Sequence, residues 1–463
     1  MRLNPLDAVW LMMESADTPM HVGVLAVFKK PARAPADYLA TMAAQMRQSR
    51  EPAAPWHYRL AQVGSSALAP RLVEDAHFDL DYHFRHSALP APGGERELGV
   101  VVSRLHSMEL DRNRPLWEFH LIEGLERNRF ACYLKVHHAL VDNVTGIPLF
   151  TSLLSSRARD RQLPPPWCVP LDLSGAAADS DFDSGELWRA LAQPADTLAS
   201  LRQASSGFLR NIARRGSDGS VLLPRGTPRS TLNRRINAQR RFATQQFELA
   251  RIESLAAASD TTVNTILAYL CGSSLRRFFK EYNALPEASL IGALPVSLQE
   301  RSAQVAGNAI ADLRVALGTH IGDPLARLEA VKAALDEVRR DRASLPASAV
   351  TPYVLLRSAP VYASQLPGVG RFVPPLYNLG VSNTLGPGQR LYYNGARLEA
   401  IYPLSQLMQF SALSIDCVSY AGTFNIGFTG ARDTLPHLQR LAVYTGRAVD
   451  DLERLLGLSG EAA

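Results

Sequence analysis

Phe130-Ala131-Cys132-Tyr133-Leu134-Lys135-Val136-His137-His138-Ala139-Leu140-Val141-Asp142-Asn143 is the stretch that decides the fold. An apolar run of strand-forming residues ends in two adjacent histidines and a polar Asp-Asn pair, so a buried strand gives way to a loop there. Side chains alternate faces along a strand, and the two imidazoles therefore point to opposite sides. One ring can face a reaction channel while the other is held in the structure. Imidazole titrates near neutrality, which suits it to take a proton from a hydroxyl. Asp142, four residues beyond the second histidine, can orient the loop or a ring by a hydrogen bond or ion pair. For an isolated pair, two core histidines satisfied by the backbone are the plainer alternative.

Working outward, strand and helix patterns alternate through both halves of the 463 residues. Asn4 is placed to cap a first helix that Pro5 opens, with Leu6, Val9, Trp10 and Met13 on one apolar stripe. A strand over Val22–Phe28 and helices over Pro35–Gln48 and Glu95–Ser107 follow, with strand and loop between Leu60 and His86. Strands near Trp117–Ile122 and Phe130–Val136 complete the first half. The Pro164-Pro165-Pro166 run and the Ser/Gly/Ala/Asp-rich stretch after it read as a connector. In the second half a strand is expected over Arg241–Leu249, then a helix with Val263, Ile266, Leu267, Leu270 and Phe278 on one face. Asp323-Pro324 opens a long helix. Strands are expected near Leu376–Val381, Arg390–Ile401, Leu413–Ser419 and Thr423–Gly430, before a helical end. The expected organisation is an N-terminal half over 1–160, a crossover over 161–240 and a C-terminal half over 241–463, two packed α/β sandwiches.

The composition, 46% hydrophobic and 20% charged, is that of a globular chain with sizeable cores. No run approaches the roughly 18 apolar residues that a membrane span needs. Asp7 and Glu14 break up the start of the chain, so no secretory leader is expected. Cys132, Cys168, Cys271 and Cys417 are far apart, which argues against a zinc site or a disulfide framework and fits a reducing cytoplasm. Between Leu201 and Arg241 stand ten arginines and no lysine against the single acid Asp218. This segment, with Arg210, Arg214 and Arg215 at its centre, can meet anionic lipid or the phosphates of coenzyme A. The plainer alternative is a solvated arginine-rich helix. Nucleic acid is not expected, because no interleaved aromatic pattern accompanies the charge.

The histidine segment resembles the His-His-x-x-x-Asp-Gly signature of chloramphenicol acetyltransferase-like acyltransferases. Further segments resemble the bacterial wax ester synthase/diacylglycerol acyltransferase family. They are Leu3-Asn4-Pro5-Leu6-Asp7, Pro19-Met20-His21-Val22-Gly23, Leu110-Asp111-Arg112-Asn113-Arg114-Pro115-Leu116-Trp117-Glu118 and Leu121-Ile122-Glu123-Gly124. In the second half stand Thr262-Val263-Asn264, Leu294-Pro295-Val296-Ser297, Gly307-Asn308 and Val381-Ser382-Asn383-Thr384-Leu385-Gly386-Pro387. The resemblance implies a pseudo-dimeric α/β fold with an active-site channel between the halves, and acyl-coenzyme A as a substrate with no cofactor. It also implies a long-chain alcohol, giving wax ester, as first acceptor and diacylglycerol as second, at a peripheral membrane or lipid-inclusion surface. Two positions depart from the pattern. Asn143 replaces the motif glycine, putting a side chain where the family has none, and Thr265 stands where the family commonly has aspartate.

The residues themselves favour direct transfer. There is no Gly-x-Ser-x-Gly elbow for a serine nucleophile and no glycine-rich phosphate loop. His138 is therefore expected as general base, with His137 and Asp142 in support. Asn264 is the first candidate donor to the developing oxyanion, with Ser382 and Asn383 next and Asn143 as a substrate contact. Helix capping and turn hydrogen bonds are the alternative roles for these residues. His77, His83 and His86 lie near one another in an alternating run, but spacing alone does not make a metal site, and none is expected. A related acyltransferase for a non-lipid acceptor, an amide-forming condensation domain and a non-catalytic lipid-associated scaffold are the competing functions.

Overall fold

A computed structural model describes residue 3 and residues 5–61, 70–141, 146–171, 227–295, 312–343, 364–365 and 370–458. The first half runs α1 (Pro5–Met13), β1 (His21–Lys29), α2 (Tyr38–Gln48), β2 (Tyr58–Leu60), β3 (Leu72–Glu74), α3 (Leu80–His83), β4 (Phe84–Ala88), α4 (Glu95–Ser107), β5 (Trp117–Leu125), β6 (Arg129–His137) and α5 (Gly146–Ser152). The second runs β7 (Arg240–Glu248), α6 (Leu249–Ala258), α7 (Val263–Glu281), β8 (Ile291–Pro295), β9 (Asp312–Ala316), α8 (Pro324–Ala343), β10 (Leu379–Leu385), β11 (Tyr392–Tyr393), β12 (Ala396–Leu404), β13 (Leu413–Tyr420), β14 (Thr423–Ala431) and α9 (Gln439–Leu455). Most of the crossover, and Arg210, Arg214 and Arg215 with it, lies outside the described residues.

Each half is built on a mixed sheet. The first has the order β11-β12-β1-β6-β5-β4 and the second β7-β14-β13-β10-β8-β9. In β6, Phe130, Cys132, Leu134 and Val136 face one core, while Ala131 and Tyr133 face another against α4. The expected alternation therefore holds up to the histidines.

The sheets do not respect the boundary at residue 241. β12 leaves the second half and pairs antiparallel with β1, Gly23 opposite Leu404, covering an edge that β1 would otherwise expose. The strand expected over Arg390–Ile401 is also two strands. Asn394 and Gly395 take φ of 48° and 87°, the left-handed pair that a tight hairpin requires, and the chain reverses there.

The second junction is α4 on β7. β7 is an edge strand whose outward N–H groups need partners. Ser103 Oγ accepts from Phe242 N and Ser107 Oγ from Arg240 N, each at 2.8 Å. Gly99, one turn earlier, lets the helix approach, since a Cβ there would stand 3.2 Å from Phe242 O. The i, i+4, i+8 spacing of these small residues lays one helix face along the strand edge.

A further difference lies between Leu60 and His86. The run expected as strand and loop contains the helical turn α3, because the Asp79 carboxylate accepts the Asp81 N–H at 3.1 Å and caps it.

Candidate active site

β6 ends at His137, and both neighbouring segments hold the chain as it leaves. His137 N donates to Leu116 O at 3.0 Å, and His138 N donates to Met20 O at 2.8 Å. The His137 ring is fully buried. Its Nδ1 accepts the Ala139 N–H at 3.0 Å, and its Nε2 lies 3.6 Å from Glu14 Oε1. Glu14 Oε1 also accepts from Met20 N at 3.0 Å, and Oε2 takes Arg112 Nε at 2.7 Å. Burial alone would raise the Glu14 acid. His137, the Met20 amide and Arg112 more than reverse this and lower it to about 2. Glu14 thus fastens the end of α1 to the first motif histidine and to the segment that carries His138.

The His138 ring stacks on Trp10, centroids 4.0 Å apart and planes 29° apart, and is only 5% exposed. Trp10 belongs to the apolar stripe of α1, so the helix that Glu14 directly follows also shields the second histidine from water. The two rings have different surroundings: His137 lies within a charged hydrogen-bonded clamp, and His138 against an aromatic face. Asp142 and Asn143 lie outside the described residues.

The second-half candidates form a separate group. Thr262 caps α7 through Thr265 N at 3.3 Å, so Asn264 is not needed as the cap. Its Oδ1 instead accepts from Asn383 Nδ2 at 2.8 Å, joining the start of α7 to β10. With its oxygen engaged, Asn264 keeps an NH2 group that can donate. Ser382 behaves differently. Its hydroxyl donates to Asp416 Oδ1 on β13 at 2.7 Å, so its proton is directed into the sheet rather than toward an oxyanion. Burial pushes the Asp416 acid up to about 6 despite the serine hydroxyls around it.

A buried polar layer lies beneath the histidines on the α4 side. His106 Nε2 donates to Ser405 O at 3.1 Å, leaving Nδ1 to accept from Tyr133 Oη at 2.8 Å. Gly23 makes room for this tyrosine, because a Cβ there would lie 2.7 Å from its ring. Lys135, fully buried, donates to Leu105 O and Met108 O at the end of α4 and pairs with Glu118 Oε2 at 3.0 Å. His83 donates from Nδ1 to Trp117 O at 2.7 Å and stacks on the Trp117 ring, so its role is in the core. Among the described residues no three His, Cys, Asp or Glu side chains form a metal-binding group.

The sequence reading missed Glu14 and Arg112 as site residues. Glu14 had served only to argue against a leader, and Arg112 was one letter of a motif. Neither carries a local signal for a contact that spans 98 positions of chain.

Two α/β halves, the second lending β11 and β12 to the sheet of the first, with a histidine pair at the end of a central strand, define a two-lobed acyltransferase architecture. Residues 3–267 match the wax ester synthase/diacylglycerol acyltransferase catalytic domain, and residues 306–453 match the C-terminal domain of the same family. The chain belongs to the wax ester synthase/diacylglycerol acyltransferase family, and it is an O-acyltransferase. It is 39% identical to a Mycobacterium tuberculosis protein named as a diacylglycerol O-acyltransferase, covering 99% of this chain and 98% of that one. A second protein of that species with the same activity in its name is 35% identical over 98% of this chain and 99% of its own length. The solved wax ester synthase/diacylglycerol acyltransferase of Marinobacter aquaeolei VT8 superposes with a TM-score of 0.80 at 34% identity, covering 99% of this chain and all of that one. A condensation domain of the calcium-dependent antibiotic synthetase shares the fold alone, at 14% identity and a TM-score of 0.54 over 98% of this chain and 96% of that one. Among the described residues no helix is long and apolar enough to cross a membrane.

Proposed function

We propose that the protein transfers a fatty acyl group from acyl-coenzyme A to the hydroxyl of a long-chain alcohol, of diacylglycerol or of both, with His138 as general base. The observation that carries this is the fixed placement of His138: its N–H held on Met20 O, its ring against Trp10, its neighbour locked by Glu14. His138 takes the proton of the acceptor hydroxyl as its oxygen attacks the thioester carbonyl. An oxyanion forms, for which the Asn264 amide is the proposed donor. Collapse breaks the carbon–sulfur bond, and the protonated ring returns its proton to the departing thiolate. Attack within a ternary complex needs no enzyme nucleophile. The names carried by the mycobacterial relatives support a test of diacylglycerol beside the alcohol.

Incubating the chain with palmitoyl-coenzyme A and either hexadecanol or dipalmitoylglycerol, while following thiol and ester, tests the activity. The expected result is thiol release matched by ester. Acceptor-independent hydrolysis, or no release with either acceptor, overturns the proposal.

Both substrates partition into lipid, which supports attachment to a membrane or inclusion surface. Phe372 and Leu385 stand out at 70% and 83% exposure, with the Arg371 guanidinium over the Phe372 ring. Sedimentation with phosphatidylglycerol vesicles should fall as salt rises, and binding indifferent to salt contradicts an electrostatic attachment.

A further inference from the structure

A pocket of about 220 Å³ opens between the segment 229–235 and the loops 370–377 and 408–411. Arg229, Arg234, Arg235 and Arg371 line it, with no acid among the lining residues. Among the described residues the only carboxylate paired with any of them is Asp17, whose Oδ2 lies 3.2 Å from Arg235 Nη2. Arg229 donates to the Arg371 carbonyl, Arg371 lies over Phe372, and the Arg234 guanidinium has no hydrogen bond or ion pair among the described residues. No acid occurs anywhere between Asp341 and Glu399. Four guanidinium groups gathered with one counter-ion repel one another, and an anion between them relieves this. The remaining wall includes Tyr377 and Phe410, flat faces beside the charge. Phe410 is held at φ 65°, a left-handed conformation that a bulky residue rarely adopts.

The position ties the pocket to the chemistry. Asp17 lies in the tight Ser15–Thr18 turn, three residues before Met20, whose carbonyl holds His138 N. Three residues of chain span at most on the order of 10 Å. Resting on the proposed acyl-coenzyme A donor, we infer that this pocket binds phosphate, and that the phosphate is carried by the nucleotide end of the thioester. The arginines take the phosphates, Tyr377 and Phe410 flank the base, and the pantetheine arm runs toward His138. A phospholipid headgroup offers the same phosphate chemistry and is the competing source.

The test is calorimetric titration of 3′,5′-ADP into the full chain, beside sedimentation with phosphatidylglycerol vesicles. Wild type is compared with Arg234→Ser, with Arg229→Ser/Arg234→Ser/Arg371→Ser and with Arg234→Lys; melting curves check the fold. The pocket predicts that Kd for 3′,5′-ADP rises at least tenfold in the triple variant, that Arg234→Lys keeps most of the affinity, and that added salt weakens binding to wild type. It also predicts that the preference for palmitoyl-coenzyme A over palmitoyl-pantetheine, read as the ratio of their KM values, collapses toward unity. Equal affinity in wild type and a folded triple variant overturns the inference, as does arginine-dependent binding of vesicles without binding of 3′,5′-ADP. Binding of 3′,5′-ADP by a chain that turns over no thioester would sink the acyltransferase proposal and leave the pocket standing. Turnover of palmitoyl-coenzyme A indifferent to the three arginines would do the reverse.

Discussion

Glu14 is the residue on which the arrangement around the histidines depends. Its carboxylate meets a buried imidazole, a backbone amide and a guanidinium, three partners that only the fold assembles. A carboxyl lowered from 4.5 to about 2 contributes about 3 kcal/mol to stability once fully ionised. Because its folded pKa is the depressed one, that contribution is complete above about pH 4.5 and is lost as the pH falls toward 2. Glu14→Gln should therefore destabilise the chain by about 1–3 kcal/mol in urea unfolding at pH 7. It should also lower kcat about tenfold or more, through displacement of Met20 and His138. A variant with wild-type stability and kcat would show that the clamp is incidental. The histidine pair itself was legible in the sequence, because an apolar strand ending in two imidazoles is a local pattern. Glu14 and Arg112 were not, because their meaning lies in contacts across long stretches of chain.

Among the elements, β12 departs most from the expectations. Its apolar pattern marks a strand, but its partner β1 lies more than 360 positions away in the chain, and no local pattern specifies that choice. The Asn394-Gly395 hairpin is different. The dipeptide signal is present in the sequence, and apolar residues on both sides made the run read as one strand. Where β12 passes β14, Gly427 is required: a Cβ there would stand 2.4 Å from Pro403 O, a backbone atom that cannot swing aside. Gly427→Ala should therefore cost about 1–3 kcal/mol by overpacking and loosen the junction of the two sheets, which thermal melting and hydrogen exchange of β12 amides would register. A melting temperature within a degree or two of wild type would mean that the strands separate there at little cost. In the site, the Asn264–Asn383 bond joins two motif residues that the sequence had picked out separately. The diversion of Ser382 toward Asp416 could not be read in advance, because it depends on which strand lies beside β10.

At the scale of the whole molecule, the buried polar layer sets how the fold responds to acid. Burial lowers His106 to about 3 and His83 to about 4, and it lowers His21 and His120 in the same direction. These rings are neutral in the folded chain and take up protons near pH 6.5 when it unfolds. Their stabilising effect is thus fully present above pH 6.5 and is lost as the pH falls toward the folded values, each group adding up to about 1.4 kcal/mol per pH unit. Stability should start to fall just below neutrality as the contribution of the four rings is lost, with Asp416, raised to about 6, offsetting part of one of them below that pH. Urea midpoints taken from pH 8 to 5 check this, and a flat profile would contradict the neutral layer. That layer supports the β6 end, and the account comes to rest on the ring beyond it. The most direct test compares His138→Ala with wild type for ester formation from palmitoyl-coenzyme A and hexadecanol or dipalmitoylglycerol, with circular dichroism verifying the fold. The account predicts a folded variant whose turnover has dropped by about a hundredfold to ten-thousandfold. A folded variant that keeps about a tenth of wild-type turnover or more would contradict the assignment of His138 as the base.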